Sequence, residues 1–181
     1  YQGDVRDLLE PGRFDLFICH PDCTFLTNSA AWAYGDGPYH QKVKPGTLVG
    51  AARREARETA LEFVRQMMAA PVPRIAIENP VGVISTRIRP ATQYIQPYEY
   101  GEDASKKTGL WLQGLPLLRP TRFVEPRMVN GRPRWANQTD SGQNRLSPGA
   151  DRWRERSRTY AGWAWAMAHQ WGGDIRSEAV A

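Results

Sequence analysis

Two short apolar runs on either side of a long amphipathic stretch constrain the fold of this chain most strongly. The runs are "FDLFIC" at residues 14–19 and "RIAIE" at residues 74–78. Almost wholly apolar runs of this length are typical of strands that are covered on both faces. Between them, apolar residues recur near helical spacing over residues 47–70, until Pro71 ends the pattern. Strand, helix and strand in this order predict a right-handed crossover and a parallel sheet, and therefore an α/β fold.

The predicted helix has an apolar face and a charged face. Further along the chain, "TGLWLQG" at residues 108–114 predicts a third strand, and residues 159–171 predict a final apolar helix. We expect one domain over residues 1–181, with a loop-rich basic segment at residues 119–158. The apolar face of the long helix is predicted to consist of Leu48, Ala52, Ala60, Leu61, Val64 and Met68, and the charged face of Arg53, Arg54, Glu55, Arg57 and Glu58.

Composition narrows the class of protein. The chain has 181 residues, of which 41% are hydrophobic and 24% are charged, as expected of one globular domain. No apolar run approaches the roughly 18 residues that a membrane-spanning helix needs. The two cysteines, Cys19 and Cys23, cannot build a disulfide framework, which fits a reducing compartment. We therefore expect a soluble, cytoplasmic protein with no membrane partner.

Positive charge is concentrated in one part of the chain. Ten arginines lie between Arg119 and Arg158, against four acidic residues, and Trp135 and Trp153 lie among them. Guanidinium groups bind phosphate in a bidentate manner, so this stretch is a candidate surface for nucleic acid or a nucleotide phosphate. The alternative interpretation is that the arginines are ordinary solvated residues in a protein from a GC-rich genome.

Polar motifs follow the first two predicted strands. "HPDC" at residues 20–23 comes after the first strand and "ENP" at residues 78–80 after the second. In α/β sheets ligands bind at the carboxyl ends of the strands, so both motifs should face one crevice. A thiol from Cys23 and a carboxyl from Glu78 would supply a nucleophile and a proton donor, the two groups needed to add across an electron-poor ring.

Each of these residues also has a structural interpretation. Cys23 could be a thiol in a loop with no chemical role, Glu78 a strand-end cap, and His20 a structural residue rather than one that touches substrate. Cys19, within an apolar strand, is interpreted as core. A zinc site is not indicated, because the three histidines are widely spaced and no Cys-x-x-Cys is present.

Five motifs together resemble the cytosine carbon-5 DNA methyltransferases, and especially the short phage-type members. Pro21-Asp22-Cys23 is similar to the family's Pro-Pro-Cys loop, and Glu78-Asn79-Pro80 to its Glu-Asn-Val or Glu-Asn-Pro. "GDVRDL" at residues 3–8 resembles its Gly-Asp-Ile element, and "YGEDASKKTGLWL" at residues 100–112 its Tyr-Gly segment with a following basic pair and strand. The closing "RTYAGWAWAMAHQW" resembles the family's last helix, so the likeness covers most of the chain.

The resemblance implies a Rossmann-like methyltransferase fold and methyl transfer from S-adenosylmethionine to carbon 5 of cytosine in DNA. In that scheme Cys23 adds to carbon 6, Glu78 hydrogen-bonds ring nitrogen 3 and Asn79 positions the loop. The cofactor would contact Asp4, near its adenine, and Pro21. The candidate substrate-binding residues are Lys106 and Lys107, which could equally form a solvated turn, together with Ser29, Arg154 and Arg158.

Departures from the family pattern add further expectations. Asp22 places a negative charge beside the Cys23 thiol, where it would raise the pKa of the thiol, so we expect a compensating cation or a hydrogen-bonded Asp22. The resemblance implies that the family's first strand, its Gly-rich turn and its ribose-binding acid lie ahead of Tyr1. The segment before the last helix is short for a target-recognition domain. A nucleic-acid-binding remnant of such an enzyme and an enzyme acting on a pyrimidine nucleotide therefore remain alternatives.

Overall fold

The computed structural model describes residues 1–146 and 152–173, without the side chains of residues 152, 153 and 156. Contacts group the chain into two compact units. The first comprises Tyr1–Tyr94 and Thr108–Leu115, and the second comprises Ile95–Lys107 and Pro116–Ala181. Both fall within the single domain predicted over residues 1–181. In the described part of the chain, no helix has the length and apolar character needed to cross a membrane.

The first unit contains an α/β arrangement, as the sequence predicts. Its four-stranded sheet has the order β1-β2-β4-β3. The sequence did not predict the third strand, whose last residue, Ile95, is the first residue of the second unit. Short 3₁₀ turns cover Val5–Leu8 and Ala31–Tyr34. The elements are β1 (Leu16–Cys19), α1 (Gly50–Met68), β2 (Arg74–Pro80), α2 (Ile84–Arg87), β3 (Gln93–Ile95) and β4 (Thr108–Gln113).

The sheet is mixed, so the prediction of a wholly parallel sheet is wrong. β1 and β2 run parallel, with Cys19 opposite Ile77, as the crossover through α1 requires. β4 runs antiparallel to β2, with Thr108 opposite Pro80. The physical reason is that β2 and β4 are separated by the four-residue α2, the edge strand β3 and residues 96–107, and not by one long helical crossover like α1. β4 therefore begins opposite the residue at which β2 ends.

Helix α1 and strand β2 form most of the core of the first unit. The helix ends at Met68, shortly before Pro71, and its inner positions Leu61, Val64 and Met67 are fully buried. Strand β1 is only half-buried, whereas the sequence predicts cover on both faces, because it lies at the edge of the sheet. The buried cluster consists of Leu26, Leu61, Val64, Met67, Ala70, Val72, Ile75, Ile77, Ile84 and Trp111.

The second unit combines a hairpin with two helices. β5 (Arg127–Val129) and β6 (Arg132–Arg134) pair through a turn whose two residues both have positive φ, and α3 (Arg152–Ser157) precedes α4 (Ala161–Trp171). Trp163 and Trp171 of α4 are buried. A side chain at Gly162 would overlap the carbonyl of Tyr100, so only glycine permits this close packing of α4.

Candidate active site

The loop after β1 turns sharply at Cys23. The Asp22 Oδ1 accepts hydrogen bonds from the Thr24 backbone N–H at 2.9 Å and the Thr24 hydroxyl at 2.7 Å. The Cys23 carbonyl accepts from the N–H groups of Leu26 and Thr27, both at 3.1 Å. Of the two expected compensations for the charge of Asp22, the structure therefore has the hydrogen-bonded one. The turn holds Cys23 half-buried.

The end of β2 places two polar side chains in the interior. Glu78 is 7% exposed and Asn79 is 1% exposed. Glu78 Oε2 lies 2.8 Å from His20 Nδ1, and the Asn79 side-chain amide donates to the Pro21 carbonyl at 2.8 Å. The "HPDC" and "ENP" motifs therefore meet at one edge of the sheet, as the sequence predicts.

The side chains of Glu78 and Asn79 each have one oxygen atom without a hydrogen bond among the described residues. Glu78 Oε1 and Asn79 Oδ1 are buried and have no hydrogen-bond partner among the described residues. An unsatisfied buried acceptor costs roughly 1–3 kcal/mol, so native proteins keep few of them. Such atoms at the end of a strand suit a ligand that brings hydrogen-bond donors.

A backbone contact also joins the loop after β1 to the loop after β2. Val83 donates its backbone N–H to the carbonyl of Leu26 at 2.8 Å. A Cβ at Gly82 would overlap this same carbonyl, because the backbone at Gly82 approaches Leu26 too closely for any side chain. Gly82 thus allows the loop after β2 to lie directly against the loop that contains Cys23.

Arginines of α1 hold the next part of this loop. The Arg53 guanidinium is 4.8 Å from the centroid of the Tyr34 ring and donates to the Leu48 carbonyl at 3.2 Å. Arg57 donates from Nε to the Phe25 carbonyl at 2.9 Å and lies over the same Tyr34 ring. The sequence places both arginines on the charged, exposed face, but Arg53 is only 7% exposed. This prediction fails because guanidinium stacking on an aromatic ring makes burial of the charge tolerable.

An open cavity of about 1010 Å³ lies beside the site. Its walls are mainly apolar, and its titratable residues include His20, Asp22 and Glu55. Pockets of this size and character are typical of small-molecule and cofactor sites. The carboxylates of Asp22 and Glu55 would favour a ligand that carries positive charge. The other lining residues are Val5, Phe17, Ile18, Cys19, Pro21, Phe25, Leu26, Leu48, Ala52, Ala56, Thr59, Ala60 and Phe63.

Two further candidates, Asp4 and Ser29, lie in the first unit, together with Cys19, which the sequence assigns to the core. Asp4 caps the turn Val5–Leu8 by accepting the Arg6 N–H at 2.9 Å, and the Arg6 side chain also hydrogen-bonds it, which lowers the pKa of Asp4 to about 2. Val5, rather than Asp4, lines the cavity. Ser29 is exposed in the loop before Ala31–Tyr34. Cys19 packs against the core, and burial raises its pKa to about 11. This keeps Cys19 as a neutral thiol, consistent with its interpretation as core.

The other candidates belong to the second unit. The Lys106 N–H donates to the Gln96 side chain at 3.0 Å, and its Nζ lies 6.0 Å from the Trp163 ring centroid. Lys107 follows directly and is exposed. Arg154 and Arg158 are exposed. The structure thus assigns these four residues to a different unit from Cys23 and Glu78.

In the basic segment at residues 119–158, several arginines are exposed to solvent, whereas the side chain of Trp135 is buried. The exposed arginines of this segment include Arg119, Arg122 and Arg132. Trp135 is 8% exposed and stacks on Tyr98 with ring centroids 4.2 Å apart, so its ring is used inside the unit rather than offered to a ligand. The Trp153 side chain and residues 147–151 of this segment lie outside the described part.

Sequence reasoning missed the contact between His20 and Glu78. No local sequence pattern encodes this contact: in the structure the register of β1 against β2 puts Cys19 opposite Ile77, so the next residues, His20 and Glu78, come side by side. The stacking of Arg53 and Arg57 on Tyr34 likewise depends on tertiary packing. Within residues 1–146 and 152–173, no three His, Cys, Asp or Glu side chains are grouped to hold a metal ion. No family model, curated protein or solved structure matches the chain.

Proposed function

We propose that this protein transfers a methyl group from S-adenosylmethionine to carbon 5 of cytosine in DNA. The observation that carries the proposal is the buried carboxyl of Glu78. One oxygen is engaged by His20, and the other has no hydrogen-bond partner in the part of the chain that the structure describes. The neighbouring Asn79 is hydrogen-bonded to the loop that contains Cys23. A carboxyl oxygen held in this way is suited to the ring nitrogen 3 of a cytosine.

Cys23 would begin the reaction as the nucleophile. Its thiolate adds to carbon 6, a sulfur–carbon bond forms, and the electrons of the 5,6 double bond move into the ring as nitrogen 3 takes the proton of Glu78. Carbon 5 of this enamine then accepts the methyl group. Loss of the carbon-5 proton re-forms the double bond, expels the Cys23 thiolate, and lets nitrogen 3 return its proton to Glu78.

The cavity beside the loop is the proposed cofactor site. Its volume and apolar walls fit an adenosyl group, and Asp22 and Glu55 on its wall complement a positive charge. When bound there, S-adenosylmethionine supplies a methyl group on a sulfonium sulfur. Pro21 lines this cavity, whereas Asp4 is engaged by Arg6 and would have to exchange that partner to contact an adenine.

DNA is the proposed partner because the second unit exposes arginines. Arg119, Arg122, Arg154 and Arg158 are all exposed, and arginine is well suited to phosphate contacts. The hairpin adds exposed Arg127 and Arg132, although Arg127 is paired with Asp140 at 2.6 Å. A polyanion would be bound by such a surface largely without regard to sequence.

The deciding experiment is capture of Cys23 on a modified base. With S-adenosylmethionine present, an oligonucleotide containing 5-fluorocytosine should form a covalent adduct with the full-length protein, because fluorine at carbon 5 cannot leave as a proton does. Cys23→Ser should abolish the adduct, and the matched Cys19→Ser should retain it. An adduct that survives in Cys23→Ser would refute the proposed nucleophile. Absence of any adduct, together with salt-dependent binding of DNA, would instead indicate a nucleic-acid-binding protein.

A further inference from the structure

We propose that His20 is a positioning residue that shares one proton with Glu78 and so keeps Glu78 able to protonate the ring nitrogen. The inference rests on the proposed function and deepens it. It starts from the 2.8 Å separation between His20 Nδ1 and Glu78 Oε2. At this distance one proton lies between the two atoms, and which atom carries it depends on the tautomer of the imidazole. The proposal assigns a second proton to Nε2, so that the pair is imidazole with carboxylic acid or imidazolium with carboxylate.

The side chains of His20 and Glu78 differ in solvent exposure, so each can transfer the proton to a different place. The Glu78 side chain is 10% exposed and the His20 side chain is 41% exposed. Glu78 Oε1 is buried and Oε2 faces His20, so the carboxyl has little direct access to water. The imidazole lines the open cavity and does have access to water. His20 therefore connects the buried carboxyl with solvent, and Glu78 connects His20 with the base.

The proton balance of the step follows from this arrangement. Before the reaction the pair carries one shared proton in addition to the proton on the other ring nitrogen. When the Cys23 thiolate adds to carbon 6, the shared proton passes to ring nitrogen 3, which leaves neutral imidazole and a carboxylate. Elimination of the thiolate returns the proton from nitrogen 3 to the pair. The shared proton is thus transferred to nitrogen 3 and then returned to the pair, so it is not consumed. The carbon-5 proton is released to water.

Other titratable groups near His20 come from each neighbouring element. Glu78 is on β2, Cys19 precedes His20 on β1, Asp22 and Cys23 follow in the loop, and Glu55 lies on the α1 side of the cavity. The residues that line this cavity include no lysine or arginine. Glu78 itself does not line the cavity, and the proton that it shares with His20 is the positive charge that the proposal assigns to it.

The pH dependence of a partial reaction tests the inference. Addition of the thiolate makes carbon 5 exchange its hydrogen with water, so tritium release from 5-tritiated cytosine in DNA can be followed without S-adenosylmethionine. An imidazole ring binds a proton more strongly than a carboxyl group does. In His20→Gln the carboxyl alone must hold the proton. The ratio of the wild-type rate to the variant rate should therefore rise on the order of tenfold between pH 5 and pH 8.

Controls separate this role from a structural one. His40→Gln, which changes an exposed histidine of the same unit, should leave the rate and its pH profile unchanged. In a Glu78→Gln background, His20→Gln should cause no further loss, because His20 acts through Glu78. Thermal midpoints within about 2 °C of the wild type would establish that His20→Gln is folded.

The outcomes distinguish the inference from the proposed function. A ratio that stays constant with pH, or a full additional loss in the Glu78→Gln background, would overturn the role of His20 and leave the proposed function standing. Absence of tritium release and of the 5-fluorocytosine adduct in the wild-type protein would overturn both.

Discussion

The side-chain amide of Asn79 donates a hydrogen bond to the backbone carbonyl of Pro21 across 2.8 Å. Asn79 lies on β2 and is 1% exposed, so the bond joins the interior of the sheet to the loop that contains Cys23. The position of the candidate nucleophile therefore depends on a residue 56 positions later in the sequence.

Asn79→Asp should destabilise the protein, because an ionised carboxylate cannot donate to the Pro21 carbonyl and would be buried without a partner. We expect a loss of about 1–3 kcal/mol in the free energy of unfolding, measured by urea denaturation. The matched control Asn28→Asp, at an exposed position of the loop after β1, should change it by less than about 0.5 kcal/mol. Equal stabilities of the two variants would show that the bond contributes nothing.

Glu78→Gln keeps the shape of the side chain but removes the acid. Turnover should fall by roughly 10²–10⁴-fold, the range typical of lost acid–base catalysis, while the thermal midpoint stays unchanged. Methyl incorporation into DNA measures the effect, and Glu58→Gln, an exposed residue paired with Arg87, is the control. Near-normal turnover of Glu78→Gln would indicate that the carboxyl is only a strand-end cap.

The two cysteines should differ in reactivity because burial raises the pKa of Cys19 to about 11. A thiol is reactive as the thiolate, and three pH units below its pKa only about one molecule in a thousand is ionised. At pH 8, iodoacetamide should therefore modify Cys23→Ser far more slowly than the wild type, as measured by mass spectrometry. Modification of Cys23→Ser should accelerate about tenfold per pH unit up to pH 10. Equal rates in wild type and variant at pH 8 would contradict the assignment of Cys19 to the core.

Glu55 should contribute to cofactor affinity through its charge, since it lies on the wall of the cavity. Glu55→Gln should lower the affinity for S-adenosylmethionine by about two- to fivefold, which is the effect of losing an exposed ion pair. The affinity for S-adenosylhomocysteine, a neutral thioether, should be unchanged. Calorimetry with both ligands measures the difference. Glu62→Gln on the same helix, outside this cavity, serves as the control. Equal weakening of both ligands would mean that the sulfonium charge is not recognised there.

The double variant with Arg154→Ala and Arg158→Ala should bind DNA more weakly than the wild type, and by about the same factor for every DNA sequence. Each phosphate contact contributes roughly 0.9 to the slope of log affinity against log salt on duplex DNA and roughly 0.7 on single strands. Loss of two contacts should therefore flatten the slope by one to two units, measured by fluorescence anisotropy. The control pair Arg13→Ala and Arg65→Ala, in the first unit, should leave the slope unchanged. Unchanged binding of the Arg154 and Arg158 variant would exclude this face as the phosphate contact.

Local patterns were sufficient to predict most elements around the site. The runs at residues 14–19, 74–78 and 108–114 form β1, β2 and β4, and residues 47–70 contain α1. These predictions succeed because backbone periodicity and Pro71 act within a few residues of the chain. The prediction that β4 runs parallel to β2 was wrong, because the direction of β4 depends on the path of the chain between the two strands, which no local pattern encodes.

The sequence by itself determined that Cys23 lies just after one strand and Glu78 near the end of its parallel neighbour, because the apolar runs and the helix between them are encoded locally. Only the tertiary structure decided the partners of these motifs. The register of β1 against β2 places His20 beside Glu78, and the packing of α1 on the loop buries Arg53 against Tyr34. Such contacts join residues far apart in the chain, and their energies depend on distances and burial that exist only once the strands and helix have packed.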